Sequence, residues 1–168
     1  MDEIIDGLIF VLEHQKKLYS ELLKLSAAKK EAIPSGRVEQ LDKIVREEQM
    51  ILMSLGDMER KRKRMSRELS IEAGGGPKDE MTISDIMAFA SAEQAQKLGK
   101  IQSELGEIVE EQIKYNETNK KLLESRIEYI NYMINMVSEN FDASSTYSSE
   151  GAEGKRKEQK INIIDASV

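Results

Sequence analysis

Only two prolines interrupt this sequence, and each stands close to glycine: "IPSG" at Ile33–Gly36 and "EAGGGPKDE" at Glu72–Glu80. Proline cannot continue a helical hydrogen-bond ladder and glycine accepts positive φ, so these are the two places where a regular chain has to break. Between them the apolar spacing is helical. Ile4, Leu8, Val11, Leu12, Leu18, Leu22 and Leu25 predict a first helix over 2–32. Val38, Leu41, Val45, Leu52, Leu55, Met58, Met65 and Leu69 predict a second, and so short a connection makes the pair an antiparallel hairpin over 1–71.

The triple glycine is not a phosphate-binding loop, because no strand precedes it and no Gly-Lys-Ser/Thr follows. It reads as a linker over 72–81. "TISDIMAFAS" predicts a short helix with Thr82 or Ser84 as N-cap. A third long helix then spans about 92–140, with the seam Leu98, Ile101, Leu105, Ile108, Gln112, Tyr115, Asn119 and Leu122 in heptad-like spacing. At 1.5 Å per residue it is roughly 75 Å long, more than either hairpin arm. From Asp142 the chain is small, polar and unpatterned, which predicts a flexible, disordered tail over 142–168. The expected fold is all-α: an elongated hairpin (1–71), the linker (72–81), a short and a long helix (82–141) forming a three-helix bundle or coiled coil, and the tail.

The long helix ends with too much apolar surface for one neighbour. Stepping 100° per residue, Ile127, Tyr129, Ile130, Tyr132, Met133, Ile134, Met136 and Val137 cover an arc of roughly 220°, where one packed side needs about 100°. Three coverings stay open on pattern alone: an external amphipathic helix, the broad apolar arc at "IIDGLIFVL" in the first helix, or a second copy of the chain. Thioethers such as Met133 and Met136 suit a groove that adapts to several partners. Asn116 and Asn119 read as polar seam residues that fix register at a cost in stability.

Composition removes several function classes. A net charge of −6 argues against a nucleic-acid binder. "ERKRKRM" places five bases in a row, Arg60 to Arg64, but consecutive helical residues wrap around the axis and form no flat phosphate-reading face. Zero cysteines exclude disulfides and thiolate metal sites and fit a reducing compartment. His14 stands alone. The "NET" at Asn116 is a sequon in mid-helix. No nucleophile–base pair, nucleotide fingerprint or metal-ligand cluster is present, so neither enzyme activity, cofactor nor metal is expected. "MDEIID" carries acid where a secretory signal carries base, and no apolar run reaches the ~18–20 residues that cross a bilayer, so a cytoplasmic location is expected.

The order of these features resembles the FlgN-type flagellar export chaperones over nearly the whole chain. The resemblance is carried by the hairpin "YSELLKLSAAKKEAIPSGRVEQLDKIVREEQ" and by Asn-x-x-Asn-x-x-Leu-Leu-x-x-x-Ile-x-Tyr, here Asn116, Asn119, Leu122, Leu123, Ile127 and Tyr129. The tail "TYSSEG" and the basic stretch leading into "INII" complete it. Ser148 follows the tyrosine where some members carry glycine.

The resemblance implies a cytoplasmic chaperone of type III flagellar secretion. It would bind amphipathic C-terminal helices of hook-associated (hook–filament junction) proteins, keep them soluble and deliver them to the export gate. The implied substrate surface is Asn119, Leu122, Leu123, Ile127, Ile130, Met133, Ile134 and Val137. Tyr147 is implied as the residue that docks on the export-gate protein. The competing expectation is a structural coiled-coil protein that self-associates through its apolar C-terminal helix, as a homodimer or larger assembly.

Overall fold

Residues 1–78 and 80–146 are described by a computed structural model, and their side chains as far as residue 138. The described residues form four helices and no strand: α1 (Asp2–Ser35), α2 (Val38–Glu72), α3 (Ile83–Met87) and α4 (Ala92–Thr146). The chain divides into two compact units, Met1–Ile127 and a second that begins at Glu128.

Glycine, rather than proline, ends α1. Pro34 lies inside the last turn, where it gives up only the bond its own nitrogen would donate to the Lys30 carbonyl. Gly36 then takes the left-handed conformation (φ 63°, ψ 28°). Its N–H donates to the Ile33 carbonyl (3.1 Å) and the Arg37 N–H to the Ala32 carbonyl (3.4 Å), the double closure of a Schellman turn. The helix therefore runs three residues past the expected end at 32.

The turn reverses α2 onto α1. The N-terminal ammonium meets Glu72 at 2.6 Å, Gln15 donates to Glu59 (3.3 Å), and Lys29 pairs with Glu48 (2.5 Å). Between those cross-links Ile5, Leu8, Leu12 and Leu69 are buried. The linker is held at its far end by the base run. Arg62 donates to the Met81 carbonyl (3.1 Å) and Lys63 pairs with Glu80 (2.8 Å). Thr82 caps α3 in a capping box with Asp85, whose carboxyl is held below its ordinary range first by the Thr82 backbone N–H. A second box starts α4, with Ser91 and Gln94 exchanging bonds (3.0 and 3.3 Å).

Within the first unit α4 runs parallel to α1, a direction the glycine linker leaves undetermined in the sequence. Gln94 donates to Asp6 (2.9 Å), Lys16 pairs with Glu104 (2.6 Å), Asn119 reaches the Ser26 carbonyl (2.9 Å), and Arg126 lies against Gly36. These contacts advance together along both helices. The core joins Ile5, Leu8 and Leu12 of α1 to Leu69, Met81, Ile86, Leu98 and Ile101, each 6% exposed or less. Burying such side chains contributes roughly 1.5–3 kcal/mol apiece. α3 is thus a plug at the open end of the hairpin, with Ile86 at its centre.

Two features depart from the apolar pattern. α4 continues to Thr146, beyond the expected end near 140 and into the segment expected as tail. On α2, Val38, Val45 and Leu52 recur every seven residues yet are 73%, 40% and 55% exposed, because core contacts near the turn pass through Leu41, Ile44, Ile51 and Leu55.

Candidate functional site

In the second unit every residue from 128 to 138 is exposed. Ile130, Met133, Ile134 and Val137 are 45%, 42%, 50% and 52% exposed. Their i, i+3, i+4, i+7 spacing puts them on one helical face. With Tyr129 and Ser138 they line a shallow depression of about 380 Å³. Tyr129, Tyr132 and Met136, also exposed, widen the apolar surface around it. No acid or base lies among residues 129–138, and Glu128 stands at their start. The polar groups of this surface are the hydroxyls of Tyr129, Tyr132 and Ser138 and the amides of Asn131 and Asn135. It can bury apolar area and bond through tyrosine hydroxyls at its rim.

In the first unit the remaining residues implied by the resemblance separate. Leu123 and Ile127 are 42% and 56% exposed, while Leu122 is half-buried. Asn119 is 4% exposed and turned into the bundle, where its Nδ2 donates to Ser26. Beside it Gln112 donates to the Ser26 hydroxyl (2.6 Å) and to Asn116 Oδ1 (3.0 Å). Gln112 Oε1 and Asn119 Oδ1 are buried with no partner among the described residues. Asn119 therefore bonds across the α1–α4 seam. Tyr147 lies outside the described residues.

The partner of this node, Ser26, was not singled out by sequence pattern. The available signal is the small run Ser26-Ala27-Ala28, which interrupts the leucine stripe of α1 and leaves the helix backbone accessible to an amide from α4.

Arg62 and Lys63 of the base run hold the linker, and Arg60, Lys61 and Arg64 are exposed. Arg60 pairs with Asp57, Arg62 with Glu59 (2.7 Å), Lys63 with Glu80 and Arg64 with Glu68 (3.9 Å). The Arg62 guanidinium, through its hydrogen bond, holds the Glu59 carboxyl below its usual range. Among the described residues no group of three or more His, Asp or Glu is placed to hold a metal ion, and no helix is long and apolar enough to cross a membrane. A cleft of about 320 Å³ beside α3, lined by Ser70, Lys78, Asp85 and Phe89 among others, opens onto the linker.

The family described as FlgN protein matches residues 1–155. The uncharacterized protein YvyG of Bacillus subtilis (strain 168) is 25% identical over 164 residues, covering 94% of this chain and 97% of the relative. No solved structure matches.

Proposed function

The chain belongs to the FlgN family, whose members are flagellar export chaperones rather than enzymes, and on that premise we propose that its client site is the apolar face of α4 in the second unit. Its clients are amphipathic C-terminal helices of hook-associated proteins, held in the cytoplasm until delivery to the export gate. The observation that carries this reading is the depression lined by Ile130, Met133, Ile134 and Val137, four apolar side chains on one helical face, each at least 42% exposed. An amphipathic helix with its own i, i+3, i+4, i+7 stripe is the complementary shape. Binding removes both stripes from water, and the ordering of the client offsets part of that gain, so affinity is moderate and release needs no nucleotide chemistry. Tyr147 is assigned to export-gate docking, as the family resemblance implies.

The test is calorimetric titration with C-terminal segments of hook-associated proteins from the same organism. Wild type is expected to saturate, and the Ile130→Asp, Val137→Asp double variant to lose binding at least tenfold with helicity unchanged by circular dichroism. Light scattering on the free protein separates the competing coiled-coil reading. A stable homo-oligomer that ignores every segment would replace the chaperone assignment.

A further inference from the structure

The charge of the second unit is divided sharply along the sequence. From Glu128 to Gly154 there are five acids (Glu128, Glu139, Asp142, Glu150, Glu153) and no base; Lys155, Arg156, Lys157 and Lys160 then follow within six residues that hold one acid, Glu158. Directly after them comes Ile161-Asn162-Ile163-Ile164, an apolar cluster absent elsewhere beyond Phe141. It lies past residue 155, where the family match ends. We propose that this cluster is an internal occupant of the client face: without a client, Ile161, Ile163 and Ile164 fold back onto Ile130, Met133, Ile134 and Val137. The proposal rests on the reading of that face as the client site, and adds that the chain carries its own competitor for it.

Length and order favour this occupant. Fourteen residues, 147–160, separate the last described helical residue, Thr146, from Ile161. A random coil over those fifteen Cα–Cα steps would span about 20–23 Å on average. Along the helix, Val137 lies about 14 Å and Ile130 about 24 Å back from Thr146, so the connection is long enough to bring Ile161 to the Val137 end of the face. An antiparallel return also pairs charges in sequence order. Lys155–Lys160 pass the part of the chain that carries Asp142 and Glu139, and the isoleucines arrive over 137–130. Four extended residues cover about 13 Å, close to the roughly 10 Å between Ile130 and Val137 along a helix.

Such a short segment binds weakly by itself, but tethering by a connection of this length supplies an effective concentration in the millimolar range. The clasp is therefore partly populated and displaceable by a longer client helix. Its charge pairing also weakens as salt shortens the screening length.

The chain has no cysteine, so a Ser167→Cys substitution accepts a single nitroxide. The experiment is amide NMR of the full chain with the label oxidised and reduced. We expect residues 130–137 to lose at least half their intensity, residues around Leu98 to be unaffected, and the loss to vanish in an Ile161→Asp, Ile163→Asp, Ile164→Asp variant of the tagged chain. Equal attenuation at both places, or none, overturns the clasp. Attenuation in a mixture of tagged unlabelled and untagged isotope-labelled chains overturns it in favour of a second copy. Client segments should bind the triple variant two- to tenfold more tightly than wild type, and equal affinities would remove the competition. If no client binds either protein, the chaperone reading fails, while the intramolecular attenuation still decides the clasp.

Discussion

Asn119 Nδ2 lies 2.9 Å from the Ser26 carbonyl oxygen and joins α4 to α1 across 93 residues of sequence. The bond leaves the other side of the same amide, Oδ1, buried without a partner among the described residues. A buried polar atom without a partner costs about 1–3 kcal/mol, which cancels much of what one bond contributes. The node therefore specifies register more than it stabilises. An Asn119→Leu variant should retain stability within about 1 kcal/mol, read by urea unfolding. Spin labels at Ser20→Cys and Glu107→Cys should show a broader distance distribution than in the parent. An unchanged distribution would place the register elsewhere.

The two units should respond oppositely to apolar truncation. Leu98 has no exposed surface and packs with Ile5, Leu8 and Ile101, whereas Ile134 is half exposed. Leu98→Ala is expected to cost about 2–5 kcal/mol, a shift of several degrees or more in thermal midpoint. Ile134→Ala should change stability by less than about 0.5 kcal/mol, as surface substitutions do, while weakening client binding. A large stability loss at Ile134 would mean that the face is packed as core in the free protein, more tightly than a weak, displaceable tail segment would pack it.

The helical hairpin was legible because its signals are local: apolar periodicity, a Pro-Gly stop and short connections. The seam of α4 was legible for the same reason, and Leu98, Ile101, Gln112 and Asn119 are its buried members. The direction of α4 was not, since three glycines in the linker permit either course and only nonlocal pairs, Gln94 with Asp6 and Lys16 with Glu104, select one. Val38, Val45 and Leu52 misled for a related reason. Periodicity shows that residues share a face, not that a neighbour covers it. The apolar arc at residues 127–137 was visible as excess, but periodicity does not say what lies against it.

Glu59 should mark acid sensitivity at the linker. Its carboxyl accepts from Arg62 (2.7 and 2.8 Å) and from Gln15, and its folded pKa is lowered chiefly by the Arg62 hydrogen bond. A group with a depressed folded pKa contributes stability above its unfolded value, near 4.5, and loses that contribution as pH falls through the folded value. Urea midpoints should therefore drop as pH falls below about 4.5. Glu59→Gln should lower the midpoint at pH 7 and flatten the drop. A variant with the parent's full acid slope would assign the sensitivity to other carboxylates.

The hairpin turn tests conformational strain against collision, because Gly36 meets both. Its φ of 63° costs a side-chain-bearing residue about 1–2 kcal/mol, and an added Cβ would press on the Arg126 guanidinium of α4. The guanidinium is the far end of a flexible side chain and can move at small cost, so backbone strain should dominate. Gly36→Ala is expected to lose about 1–2 kcal/mol in urea unfolding. Gly36→Asn, which adds the same Cβ but tolerates the left-handed region, should lose clearly less. Adding Arg126→Ala to Gly36→Ala should then recover little. Equal losses for alanine and asparagine, both relieved by Arg126→Ala, would make the contact between the turn and α4 the controlling feature. That result would mean the glycine is required for close helix approach rather than for its φ.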